Sequence, residues 1–412
     1  MLGILSLSNS TVSTSATLLR PSLLCVSVTL WQVGFHASYT IELRMMNRMI
    51  FANLVHRPFR TIISIVAVAV EVTLILLIVG IMLGMLQDSR NRQMGIGADI
   101  MVQPPGSSLL MGVSGAPVSV KIADKLRKLP HVTAVAPVIN QLTTAGSVKV
   151  IYGIDLPSFN AVSGGFRYLS GGPFQGPDDV IIDDLEAASR HLKVGDPMEM
   201  LNHTFRVCGI VEHGKGARDF LPMSTLQDLV GAAGKVSIFY VKVDDPNNVE
   251  DVVREIKSIP GMQQFGVHSL KEWLSLMTTS AIPALSTVID VVIGIAMIIG
   301  FIVIFQAMYA AVMERTREIG ILKSLGAGKF YIVNAVLRET LVIAIGGVVL
   351  GIIISYVARA GLRTRFQTLP VLISSGWLLK ATVIALIGSL LGALYPAIKA
   401  ARKDPIDALA YE

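Results

Sequence analysis

Four stretches of this chain, 62–86, 284–312, 340–357 and 377–397, are long and nearly free of charge. An α-helix rises 1.5 Å per residue, so about 20 consecutive apolar residues cross the hydrocarbon core of a bilayer. The first stretch reads IISIVAVAVEVTLILLIVGIMLGML and the third is entered from a helical pattern starting near Lys329. One such segment could be a buried helix of a soluble domain; four in one chain cannot. Composition agrees: 52% of residues are hydrophobic and 16% charged, with mean hydropathy +0.62, where soluble domains carry roughly 25% charge. An ordinary soluble enzyme and a disordered chain are both excluded. The net charge of +6 and the 6% aromatic share point to no nucleic-acid partner, because Lys and Arg gather beside membrane spans without one.

Between the first two spans lies a block of mixed polarity, 87–282, with turn signals at Pro104–Pro105–Gly106, Gly171–Gly172–Pro173 and Asp244–Asp245–Pro246–Asn247–Asn248. Alternating or β-branched runs predict strands at 99–103, 132–139, 148–153, 204–211 and 236–243. Amphipathic patterns predict helices at 118–129 and 249–259, the second capped by Asn247 or Asn248. The fold class is therefore a membrane protein: a four-transmembrane-helix bundle with an α+β extracytoplasmic domain inserted between spans one and two.

Orientation follows from the flanks. Arg44, Arg48, Arg57 and Arg60 precede span one; Arg315, Arg317, Lys323 and Lys329 separate spans two and three; Lys399, Arg402 and Lys403 follow span four. Four spans put all three flanks on one face, and positive charge marks the cytoplasm. Both termini are expected inside and the large domain outside, although Arg359, Arg363 and Arg365 sit in the opposite loop. The expected order is then a cytoplasmic lead-in helix 45–61, span one 62–86, the domain 87–282, span two 284–312, a cytoplasmic segment 313–339, span three 340–357, an outer loop 358–376, span four 377–397 and a cytoplasmic tail 398–412. Residues 1–44 do not fit this plan. Their best apolar run, 22–35, is short for a span, so they are expected to be a non-native or disordered extension ahead of a start at Met45, Met46 or Met49.

The segment 313–328 reads MERTREIGILKSLGAG. Glu314, Arg317 and Glu318 share one helical face, while Ile319, Ile321, Leu322 and Leu325 form an apolar side. Gly326, Ala327 and Gly328 end or bend the helix. Such a helix suits a membrane surface or a groove in another protein, and amphipathicity alone leaves a solvated helix with no partner equally open.

This segment resembles the signature ERTREIGILKALGA of the FtsX-like permease domain in MacB-type and LolC-type ABC transporters, with Ser324 where Ala is usual. The tail LYPAIKAARKDPIDALAYE resembles the family's closing pattern at Pro396, Ala397, Ala400, Ala401, Asp404, Pro405, Ala408, Leu409 and Glu412. NLVHRPFRTIISIV resembles its approach to span one. The resemblance covers residues 45–412 and is loose in the outer domain, which it implies to be MacB-like. It implies a coupling helix in which Glu314, Arg315, Arg317, Glu318, Ile319, Lys323 and Gly326 contact a cytoplasmic ABC nucleotide-binding subunit. A rigid helix continuous with span two would carry that subunit's closure across the bilayer. It also implies a second permease copy or homologue as dimer partner, and it allows a periplasmic adaptor protein.

No phosphate-cradling motif G-x-x-x-x-G-K-[ST] occurs; near Gly328–Lys329 the next residue is Phe330 and the first glycine's place holds Lys323. No cofactor is expected in this chain, with ATP and Mg held by the partner. Three G-x-x-x-G spacings, Gly80–Gly84, Gly347–Gly351 and Gly388–Gly392, allow close helix approach. Packing within the chain is expected for at least one, and a dimer face for another. Glu71 lies about 14 Å along span one and Asp290 about two turns into span two. Each is expected to face the bundle interior or be protonated, as a packed acid or part of a proton relay. The histidines show no metal spacing, Cys208 has no nucleophile motif, and Asp178, Asp179, Asp183 and Asp184 lack the central glycine of a Ca²⁺ loop. No catalytic residue is expected. The function expected is a non-catalytic permease subunit for export or extraction of a drug, peptide, lipoprotein or lipid. The alternatives are an FtsX-like transducer that activates a cell-wall hydrolase without transport, and a membrane-anchored enzyme.

Overall fold

The computed structural model describes residues 56–107, 116–143, 149–278 and 283–404. The extension 1–44, most of the lead-in helix with Met45, Met46 and Met49, and the tail from 405 lie outside the described residues. Four helices are long and apolar enough to cross a membrane: Pro58–Gly95, Pro283–Glu314, Lys329–Arg365 and Ser375–Arg402. Val68, Val72, Ile75, Leu76, Ile289, Ile304, Ile343 and Ala385 form their shared core. On the second helix Val288, Val291, Ile295, Ile298, Ile299 and Ile302 are exposed, the composition expected of a surface facing acyl chains.

Glycine sets three close approaches in the bundle. A Cβ on Gly351 would lie 2.7 Å from the Ala69 carbonyl oxygen, and one on Gly347 2.9 Å from that of Ile65, so this pair seats the third helix on the first. Gly392 lies as close to the second helix, 2.7 Å from the Phe301 carbonyl, with Gly388 beside Met297. Gly80 and Gly84 hold the connection before the fourth helix: the Leu372 N–H donates to the Gly80 carbonyl at 2.8 Å, and the Pro370 carbonyl fills the space over Gly84. All three spacings are thus covered by the chain itself, which corrects the expectation that one is a free dimer face.

The inserted domain is mixed α/β. Its strands are β1 (Ile100–Gln103), β2 (Val118–Ser119), β3 (Val132–Thr143), β4 (Lys149–Ile154), β5 (Tyr168–Gly171), β6 (Asp179–Asp183), β7 (Pro197–Met200), β8 (His203–Val211), β9 (Asp219–Pro222), β10 (Lys235–Val236), β11 (Ile238–Val243) and β12 (Gly266–Ser269). The main sheet runs β12-β1-β11-β3-β4-β9-β6-β8-β5, with β7 on β8, and β2 pairs β10 separately. Most pairs are antiparallel; β4–β9 and β6–β8 are parallel. β1 and β6 are buried along their whole length, since helices and loops cover both faces.

Two local expectations need correction. The predicted helix 118–129 is helical only over Ile122–Leu126, because Val118 and Ser119 pair with Val236 and Lys235. The predicted strand 236–243 breaks at Ser237, whose N–H donates to the Val138 carbonyl and whose hydroxyl accepts from the Asn140 N–H. The helix at 249–259 spans Val249–Ser258 with Asn248 at its N-cap position, yet the Asn248 side chain bonds Asp244 and His131 instead of capping.

Candidate coupling site

The second long helix ends at Glu314, and a separate short helix follows, Thr316–Ser324. The expected rigid continuation of span two is therefore broken at Arg315. Thr316 supports the break by donating its hydroxyl to the Met313 and Val312 carbonyls, which competes with the helical ladder. At its far end the Gly326 N–H returns to the Lys323 carbonyl and the Ala327 N–H to that of Leu322, with Gly326 at φ +98°. A left-handed residue there is the ordinary way to stop a helix.

Ion pairs replace the missing rigid continuation. Arg315 donates to both Glu339 oxygens, at 2.9 and 3.3 Å. Arg60 of the first helix reaches Glu339 at 3.2 Å and Glu314 at 3.5 Å, and Arg57 pairs with Glu314. Glu339, a buried carboxylate with no sequence pattern of its own, thus ties the third long helix to the first and to the break that follows the second. Lys323 donates to the Ala401 and Lys403 carbonyls, fastening the short helix to the end of the fourth. Of the seven residues assigned to partner contact, Arg315 and Lys323 are turned to this chain, Ile319 packs against the bundle core and Glu314 shares its charge with two arginines. Arg317, Glu318 and Gly326 face outward.

The same end of the bundle presents large apolar groups to solvent. Leu325 is 80% and Phe330 82% exposed, on either side of the turn at Gly326–Gly328, and Ile321 is also exposed. An outward Phe following a helix stop was legible as a departure from a phosphate loop, but its prominence required the fold.

The opposite end of the first helix is anchored to the inserted domain, with Gln93 buried there. Gln93 donates to the Tyr152 hydroxyl at 3.2 Å and accepts from Tyr240 at 3.0 Å. The Gly216 N–H donates to the Arg92 carbonyl at 2.8 Å. Arg218 then links Asp88 of the helix, at 3.1 Å, to Asp183 at the end of β6, at 3.2 Å. Asp183 also caps the helix Asp184–Arg190 by accepting from the Glu186 N–H. Burial pushes its carboxyl up to about 6 against the pull of Arg218. The folded chain therefore binds this proton at a pH where an unfolded aspartate, near 3.9, has lost it. Stability from this group falls as pH rises from about 4 to about 6. Asp183→Asn, which keeps a capping side chain, should flatten that part of the profile of unfolding temperature against pH; an unchanged slope would assign it to another group.

Two family models match. The MacB-like periplasmic core domain covers residues 61–259 and the FtsX-like permease C-terminal domain covers 291–405. The chain belongs to the MacB/FtsX-type ABC-transporter permeases. Among similar proteins, the macrolide export ATP-binding/permease protein MacB of a Shewanella species is 26% identical over 389 residues, 87% of this chain and 59% of that protein. The uncharacterized ABC transporter permease YknZ of Bacillus subtilis is 27% identical over 226 residues, 53% of this chain and 55% of that protein. The periplasmic region of MacB from Actinobacillus actinomycetemcomitans, a solved structure, is 19% identical with TM-score 0.34, covering 43% of this chain and 92% of its own. This chain spans less than two thirds of the length of each of the two sequence relatives. Family and long helices together make it an inner-membrane permease.

For this permease the helical part of the closing pattern acquires a packing role, while Asp404 beyond it is exposed. Pro396, Ala397, Ala400 and Ala401 are all buried at the end of the fourth helix, where Lys323 docks. Asp290 is exposed on the second helix of this single chain, whereas Glu71 is buried in its bundle. In the inserted domain Asp178 pairs with His203, Asp179 with Arg206 and Asp184 with His213. Burial raises the Cys208 thiol to about 12, which leaves little thiolate at neutral pH. Among the described residues no group of three His, Cys, Asp or Glu side chains could hold a metal ion.

Proposed function

We propose that this permease is the membrane subunit of an ABC exporter. It turns ATP hydrolysis by a separate nucleotide-binding subunit into movement of its inserted domain, for export or extraction of a drug, peptide, lipoprotein or lipid. One observation carries the reading: the first helix runs unbroken from Pro58 to Gly95, held by the Glu314 and Glu339 ion pairs at one end and by domain residues at the other. Displacement of the short helix reaches the domain through that rod. The basic flanks support a cytoplasmic position for the short helix and both termini, and an extracytoplasmic one for the domain. ATP and Mg belong to the partner, which docks on Arg317, Glu318, Leu325 and Phe330. A second permease copy completes the dimer, and an adaptor protein would extend an export path.

Co-purification with the partner ATPase tests this. Leu325→Ala and Phe330→Ala should each weaken binding roughly tenfold, as truncation of an interface anchor does. Reversing both charges, with Arg317→Glu and Glu318→Arg, should abolish ATPase stimulation and transport. Normal stimulation in the double reversal would move the docking site elsewhere. Coupled ATPase activity without movement of any substrate, together with activation of a cell-wall hydrolase, would replace export by signalling.

A further inference from the structure

Glu71 is 2% exposed and sits where the first, second and fourth long helices meet. A Cβ on Gly300 of the second helix would collide with its carboxyl group. One on Gly388 of the fourth helix would lie 3.9 Å from Glu71 Oε1 and from the Met297 carbonyl oxygen. Neither oxygen of Glu71 has a hydrogen-bond partner among the described residues, and neither does the hydroxyl of Ser389, which follows Gly388 and is wholly buried.

Among the described residues no cation faces this carboxyl. On its own helix the nearest basic residue is Arg60, engaged by Glu314 and Glu339. On the second helix the ionisable groups nearest Gly300 are Asp290 and Tyr309; on the fourth, those nearest Gly388 are Tyr395 and Lys380. At 1.5 Å per residue each lies about 10 Å or more along its axis. Asp290, Tyr395 and Lys380 are exposed, and Tyr309 is engaged by Lys399. The third helix meets the first at Val68, Ala69 and Val72, and its nearest ionisable group to Gly351, Tyr356, is exposed.

A bare carboxylate is expensive in such surroundings, and a neutral acid far less so. We propose that Glu71 forms a proton-binding site, in which its carboxyl holds a proton while the second helix is seated over it. The missing side chain at Gly300 makes room for the acid; the ionised form needs water, which enters only when the second and fourth helices draw away. Closing forms an O–H bond on the carboxyl with a proton taken from water. Opening returns the proton to water and leaves the electron pair on the carboxylate. The site lies within this chain alone and stands whether or not the permease moves a substrate.

Infrared spectroscopy of the purified full chain in an ester-free detergent tests it. At neutral pH the wild type should show a protonated-carboxyl C=O band that Glu71→Gln lacks. Loss of a carboxylate band instead would overturn the proposal. Alkaline titration of the wild type alone, which does not depend on the variant folding, should convert that band to carboxylate; its absence at every pH above mild acid would also overturn it. Thermal unfolding adds a second readout: the wild-type midpoint should fall with rising pH relative to Glu71→Gln, and parallel profiles would count against the site. Disappearance of the protonated band on adding sodium or potassium at constant pH would make this a cation site and reject the proton assignment.

Discussion

Glu339→Ala should lower the stability of the bundle by on the order of 3 kcal/mol, the scale seen when one partner of a buried ion pair is removed. Glu339 is the shared acceptor of Arg60 and Arg315, whose side chains are 15% and 11% exposed. Without it two cations face each other where little water reaches, and among the described residues the more exposed Glu314 is the acid that remains for Arg60. The ends of the first and second helices then separate. Thermal unfolding of the purified full chain reads the stability, and a spin-label distance between these two helix ends reads the separation. Glu339→Gln, which keeps an acceptor of the same shape, should recover part of the stability but not the charge balance. A wild-type midpoint for Glu339→Ala would show that the network contributes nothing to the bundle.

Gly351→Leu should be more damaging, leaving little folded protein in membranes. The first atom of the new side chain already falls 2.7 Å from the Ala69 carbonyl oxygen and 2.9 Å from Val72 Cβ. A backbone oxygen cannot rotate aside as a side chain can, so the third helix must move off the first along its length. Overpacking of this kind costs about 1–3 kcal/mol or more, and here it also opens the Gly347 contact. Gly361→Ala in the same helix is the control, since a Cβ there meets nothing within 4 Å. It should be neutral, or stabilising by up to about 1 kcal/mol through helix propensity. Folded yield and unfolding temperature in detergent distinguish the two; equal behaviour would mean that the close crossing is not required.

The bundle was legible because a membrane imposes a length and an apolarity that survive in any sequence reading. Glu339 was not, because a lone Glu beside an apolar run looks like a solvated helix end; only the fold brings Arg60 and Arg315, distant in sequence, to the same carboxylate. The outward group of Arg317 and Glu318 was legible as one helical face, whereas Glu314 was grouped with them on the premise of an unbroken helix that Arg315 ends. The glycine spacings announced close approach but not to what: the connection at Pro370–Leu372 that fills Gly80 and Gly84 has no helical period to read. In the domain, β3 and β8 declared themselves by length and alternation, while β5, β7 and β12, each of four residues, are too short for a period to emerge.

Residue order alone determined the four spans, the inserted domain, the signature helix and the family, because each depends on local composition or a contiguous motif. Tertiary structure alone decided which charges face out, which glycines pack against which backbone, and that Glu71 lies buried beside Gly300 while Asp290 does not. Those outcomes depend on the rotation of each helix about its axis, and that rotation is set by neighbours hundreds of residues away.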